Sequence, residues 1–307
     1  MLRKPYLVLA AIILLALLSS CQTPDAGHET LPALNTQTLS PAQIVPAIEN
    51  TPETQPTNTP THQPAPDIDE QGCQDSAGEI QAYEISWRGE ILNGRIYTPP
   101  CYPNDDRQYP TLYLLHGATE TEEQWETLGL FDLTDDLIDK GKIPALIIVM
   151  PREDTWVSLQ ENPYGDQLVQ ALIPWVDDEF QTLAERNYRA VGGLSRGGNW
   201  AIRLGLMHWG AFGSFAGHSA PLFYGDLNRL PGWLEDIPAG SIPRIYLDIA
   251  EGDRNLAESE SLREILEKAD VSLEWHLYPG LHDGNYWSSH LAEYLLWYSA
   301  DWSDLKH

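Results

Sequence analysis

The sequence predicts an α/β fold: a mostly parallel central sheet with an antiparallel N-terminal hairpin and helices on both faces. Three observations predict it. Strand-like and helix-like runs alternate through the last 225 or so residues, which is how parallel strands with crossover helices are written. The run Ala145 to Met150 (Ala-Leu-Ile-Ile-Val-Met) is continuously apolar, as a strand covered on both faces requires. Finally, Gly193-Leu194-Ser195-Arg196-Gly197 sets a tight turn between an apolar run and a helical one.

Taken in order, Gln81 to Trp87 and Glu90 to Tyr97 alternate weakly around Arg88-Gly89, which predicts the hairpin. Thr111 to Leu115 reads as a buried strand. Phe131 to Lys140 has helical spacing and stops at Gly141, and the apolar strand at 145–150 follows. Gln167 to Gln181 reads as a helix that Pro174 should kink. Next come the strand Tyr188 to Gly193, a helix from Asn199 to His208, and a strand from Phe212 to Ala216. Leu222 to Ile242 holds several Gly and Pro without a clear period and reads as loop with a short helix. Arg244 to Ala250 is a strand, Ala257 to Ala269 a helix, Ser272 to Tyr278 a strand, and Tyr286 to Ser299 a closing amphipathic helix.

Residues 1–20 read as an export signal rather than fold: Arg3 and Lys4 precede an apolar run from Tyr6 to Leu18, which is short for a membrane-spanning helix. Leu18-Ser19-Ser20-Cys21 is similar to the lipobox of bacterial lipoproteins, so Cys21 is expected to carry lipid and become the mature N-terminus. The simpler alternatives are a cleaved signal without lipid or an uncleaved anchor. Acyl chains on one cysteine would hold the protein on the outer side of a bacterial membrane. The tether, residues 21–72, contains nine Pro and nine Thr between Gln22 and Glu70, and no Lys, Arg or aromatic residue there. It cannot bury enough apolar surface to offset its ordering entropy, so a disordered spacer is expected.

Residues 73–307 are long enough for one domain with a full core. They carry 38 Asp and Glu against 16 Lys and Arg, which argues against nucleic acid or anionic headgroups as partners. With Cys21 assigned to lipid, Cys73 and Cys101 remain as a pair for an oxidising compartment. A bond between them closes a loop of about 28 residues, worth about 3–4 kcal/mol by loop entropy. Two buried unpaired thiols are the alternative.

The chemistry concentrates on Ser195. Gly-x-Ser-x-Gly between strand and helix is the turn that lifts a serine hydroxyl clear of a sheet, and side chains two positions to either side would collide there. A serine hydroxyl needs a general base, normally a histidine oriented by a carboxylate. Among nine histidines, His282 stands in Pro279-Gly280-Leu281-His282-Asp283-Gly284, after the last strand and before the last helix. His208 closes the elbow helix, His116 ends a strand, and His276 and His290 lie within elements. The acid should follow the preceding strand, where Glu251-Gly252-Asp253 offers Asp253, with Glu251 in reserve. Asp248 lies inside the strand, and Asp283 adjoins His282 too closely to orient it. An oxyanion hole needs two backbone donors: the N–H of Arg196 after the nucleophile, and the N–H of Ala118 in His116-Gly117-Ala118. No cofactor is expected, and the histidine spacing does not suit a zinc helix.

Several segments together resemble the esterase D and enterochelin-esterase-like branch of the α/β-hydrolases, which includes feruloyl esterases and mycolyltransferases. They are Tyr113-Leu114-Leu115-His116-Gly117 with Trp125, Asp139 to Pro144 leading into Val149-Met150-Pro151, Gly193 to Gly198, Glu251-Gly252-Asp253, and Tyr278 to Asp283 with Tyr286-Trp287. The likeness spans Tyr83 to Ser299 and implies the fold and a Ser–Asp–His triad. It leaves the substrate open, since the branch holds carbohydrate-ester, siderophore-ester, thioester and acyl-transfer enzymes. Arg196 departs from the usual Met-like residue and sets a cation beside the site. Ala118 departs from a frequent glycine.

The expected function is thus ester hydrolysis outside the cell, first on acylated plant polysaccharide (feruloyl or acetyl esters) and second on a siderophore ester. An acyltransferase of the same fold and a non-catalytic surface binding protein are the alternatives; a structural envelope protein is the weakest.

Overall fold

A computed structural model describes residues 76–104, 107–153 and 162–305. The signal, Cys21, the tether and Cys73 lie outside the described residues. Among those described, eight strands form one sheet in the order β1-β2-β4-β3-β5-β6-β7-β8. The strands are β1 Glu79–Trp87, β2 Glu90–Thr98, β3 Thr111–Leu115, β4 Ile147–Pro151, β5 Arg189–Leu194, β6 Ser214–His218, β7 Arg244–Ala250 and β8 Glu274–Tyr278. β1 pairs antiparallel with β2, and β2 antiparallel with β4, while every pairing from β4 to β8 is parallel. The hairpin turn places both Arg88 and Gly89 at positive φ (51° and 86°), matching the twist of the strands it joins.

The apolar runs went where their pattern required. Every residue of β3, β4, β5 and β6 is buried. One face of the sheet packs α2, Leu130–Asp139, and α8, Gly284–Ser299, around Trp125, Tyr246, Tyr294 and Tyr298. The other face packs α5, Arg196–Met207, and α7, Leu256–Lys268, around Tyr113, Trp200, Phe215 and Leu262.

Three expectations change. The helix read from Gln167 begins earlier, as α3 Tyr164–Gln167, widens into a π-helical turn Leu168–Leu172, and resumes as α4 Ile173–Glu179. Pro174 falls at the start of α4. The wide turn before it takes up the register around a residue that cannot donate a backbone hydrogen bond. Within the segment read mostly as loop, Asp226–Glu235 is a ten-residue helix, α6, despite Pro231 in its interior. Its anchor is tertiary: Asp226 is fully buried and accepts two hydrogen bonds from Arg203 on α5. A short helix, α1 Gln124–Thr127, went unanticipated and buries Gln124 and Trp125 beside the loop that follows β3.

Candidate active site

The elbow is built by three close approaches that only glycine permits. A Cβ on Gly193 would sit 2.3 Å from the carbonyl carbon of Gly197, and one on Gly197 2.3 Å from the carbonyl oxygen of Leu115. A Cβ on Gly198 would lie 2.8 Å from the oxygen of Gly193. Real Cβ atoms do not come so near backbone, so β5, α5 and the end of β3 close on one another only with hydrogen at these positions. Ser195 sits between them at φ 52°, ψ −115°. Such a backbone costs a non-glycine residue about 1–3 kcal/mol, and it turns the side chain out of the sheet. The Ser195 N–H donates to the His218 carbonyl at 2.8 Å, which fixes the strained residue to β6.

Asp253 follows β7 and His282 follows β8, and the two loops are stacked. Gly252 N–H donates to Gly280 O at 3.1 Å, and a Cβ on Gly252 would lie 2.7 Å from the Leu281 side chain. Immediately after His282, Asp283 caps α8 by accepting from the Tyr286 N–H at 3.1 Å. The Trp287 ring stands edge-on to the His282 imidazole, 5.2 Å away at 81°. Capping and ring contact together set where the imidazole can be.

The structure thereby brings together Ser195, Asp253 and His282, three residues from three strand ends. His282 Nε2 lies 3.0 Å from Ser195 Oγ, and His282 Nδ1 lies 2.8 Å from Asp253 Oδ2. The other oxygen of Asp253 accepts the Asn255 N–H at 2.8 Å. Burial raises the Asp253 pKa, but the bonds from His282 and Asn255 outweigh it and hold the carboxyl below its ordinary 3.8. An ionised Asp253 accepts from Nδ1–H, which leaves Nε2 lone-pair-bearing toward the serine. This arrangement can take a proton from Oγ and later return it.

Glu251, the reserve acid, and Asp248, set aside as lying inside its strand, have other places. Glu251 is exposed. Asp248 is fully buried, accepting from His218 at 2.5 Å, Tyr286 at 2.7 Å and Tyr294 at 2.9 Å. His218, whose sequence context offers no signal, is also fully buried, with its Nε2 2.9 Å from the Tyr298 hydroxyl.

The loop carrying Ala118 lies against the elbow. Gly117 N–H donates to Gln124 Oε1 at 2.8 Å, and Gly117 O lies 2.8 Å from His116 Nδ1. Arg196, first residue of α5, does not present a bare cation. Its Nε and Nη2 donate to the two oxygens of Glu153 at 2.8 and 2.6 Å, and its guanidinium lies 5.3 Å from the centre of the Phe223 ring. Glu153 is the site-adjacent residue that sequence reading missed. Cys101 is disulfide-bonded. Among the described residues, no group of three His, Cys, Asp or Glu is placed to hold a metal ion.

The family described as putative esterase matches residues 88–298. An esterase of Mycobacterium tuberculosis is 33% identical over 154 residues, covering 46% of this chain but only 31% of that protein. An endo-1,4-beta-xylanase/feruloyl esterase of Xylanibacter ruminicola is 33% identical over 122 residues, 36% of this chain and 17% of that protein. An acetyl esterase of Caldicellulosiruptor saccharolyticus is 24% identical over 232 residues, 64% of this chain and 85% of that protein. This chain thus spans less than a third of the length of the first two relatives. Among solved structures, a ferulic acid esterase superposes with a TM-score of 0.65 at 22% identity, covering 74% of this chain and all of its own. An S-formylglutathione hydrolase of Staphylococcus aureus gives 0.58 at 17%, covering 73% of this chain and all of its own. These two likenesses speak for the fold. The two solved structures share the α/β-hydrolase fold with this chain, and with more than half its length matched by the family model, the chain belongs to the putative-esterase family.

Proposed function

We propose that this protein is a serine carboxylesterase, working through an acyl-enzyme and held outside the cell by lipid on Cys21. The observation that carries the reading is the unbroken relay from Asp253 Oδ2 through His282 to Ser195 Oγ, at 2.8 and 3.0 Å. Ser195 Oγ attacks the ester carbonyl carbon as its proton passes to His282 Nε2. Asp253 steadies the imidazolium through Nδ1–H. The backbone N–H groups of Ala118 and Arg196 receive the oxyanion, and the N-terminal end of α5 adds favourable potential there. His282 then protonates the departing alcohol. Water, deprotonated by His282, attacks the acyl-enzyme, and the acid leaves as Ser195 regains its proton.

The substrate we favour is a feruloyl or acetyl ester on plant polysaccharide. Support comes from the Xylanibacter relative, named as a xylanase/feruloyl esterase, and the Caldicellulosiruptor relative, named as an acetyl esterase. A surface tether also suits a polymer too large to import. The test compares residues 73–307 with Ser195→Ala on p-nitrophenyl acetate, p-nitrophenyl butyrate and methyl ferulate. Hydrolysis lost in the variant supports the esterase and ranks its acyl groups. A wild type no faster than the variant on all three contradicts it.

A further inference from the structure

Glu153 is placed between the two segments that carry the oxyanion donors, and it grips both. On one side its carboxylate, 5% exposed, takes the Arg196 guanidinium in a two-point fork and accepts Asn162 Nδ2 at 3.0 Å. On the other side its backbone N–H donates to His116 Nε2 at 2.9 Å. That donor forces the imidazole state: Nε2 is the acceptor, so the proton is on Nδ1, which donates to Gly117 O at 2.8 Å. Burial pushes the His116 pKa below its ordinary value, which favours the same neutral ring.

The consequence is geometric. The Gly117–Ala118 peptide is planar, so fixing the Gly117 carbonyl fixes the direction of the Ala118 N–H. Gln124 holds the preceding N–H, which leaves that peptide little freedom to rotate. At the other donor, the Arg196 side chain is clamped one residue after the nucleophile. We propose that Glu153 is a positioning residue for the oxyanion hole, holding the Ala118 and Arg196 N–H groups in register through His116 and the Arg196 guanidinium. This rests on the esterase reading above. It also gives the Arg196 side chain the role of a tie rather than a substrate contact.

A buried ion pair can simply stabilise a fold, so the test separates the two roles. Removing one partner of such a pair is destabilising, whereas removing both is often neutral. Glu153→Gln, Arg196→Met and the double variant are compared with wild type in residues 73–307, below the onset of unfolding seen by circular dichroism. The double variant is expected to recover most of the Tm lost by Arg196→Met. Its kcat on p-nitrophenyl acetate stays down by about tenfold or more with KM within about twofold, because misaligned donors act on the transition state. Affinity for phenylboronic acid, which forms a tetrahedral adduct on serine, falls by a similar factor. Glu153→Gln alone shows the same split between kcat and KM.

Wild-type kcat in the folded double variant, or a loss carried by KM, overturns the positioning role and leaves the esterase reading standing. A wild type that neither hydrolyses the ester nor binds the boronic acid overturns both.

Discussion

The backbone N–H of Ser195 donates to the carbonyl oxygen of His218 at 2.8 Å, and the His218 imidazole is itself bonded to the buried Asp248 at 2.5 Å. Ser195 is therefore fastened to a strand end that a polar cluster in the core holds in place. Asp248 is the hub of that cluster, since Tyr286 and Tyr294 donate to its other oxygen.

Asp248→Ala should destabilise the domain by about 3–5 kcal/mol, because it leaves a histidine N–H and two tyrosine hydroxyls buried without an acceptor. Urea unfolding with an unchanged m-value is the measurement.

The elbow glycines make a sharper steric prediction. Gly197→Ala places a methyl 2.3 Å from the Leu115 oxygen, a backbone atom that cannot swing aside. Its kcat should fall about 100-fold or more as Ser195 shifts, with a lower Tm. Gly210→Ala, where a Cβ meets nothing within 4 Å, should change stability by no more than about 0.5 kcal/mol and leave the rate alone.

Much of this was legible in the sequence because it is local. Buried parallel strands are apolar through most of their length, and β3 and β4 read that way. Ser195, Asp253 and His282 each lie in a short loop at a strand end, and the parallel sheet brings such loops to one edge. What stayed hidden is chosen in space. Glu153 meets Arg196 across 43 positions, and His218 meets Asp248 across 30, with no pattern in either neighbourhood to announce the pairing. Helix α6 was obscured because Pro231 and Gly232 spoil its local propensity, and the buried Arg203–Asp226 pair that supports it is a tertiary contact.

Asp253→Asn should preserve the fold, since its side-chain oxygen can still accept the Asn255 N–H. It should lower kcat by about 10³–10⁴-fold, because the amide can no longer hold His282 in the Nδ1–H tautomer. Steady-state kinetics beside a Tm measurement checks both halves.

Stability should decline in mild acid. Burial lowers the pKa values of His116 and His208 from the ordinary 6.5, so the unfolded chain binds protons there before the folded one does. Stability is then complete above about pH 6.5 and is lost as pH falls through the lower folded values. His116→Gln should flatten part of that slope in urea titrations taken between pH 7 and 5.

The proposed function requires that Ser195, driven by His282, is a nucleophile. Intact mass spectrometry after exposure to a fluorophosphonate tests it most directly. One adduct is expected, mapped to the peptide containing Ser195, absent in Ser195→Ala and strongly slowed in His282→Ala. A folded wild-type protein that takes up no phosphonate, or takes it up equally in Ser195→Ala, would contradict it.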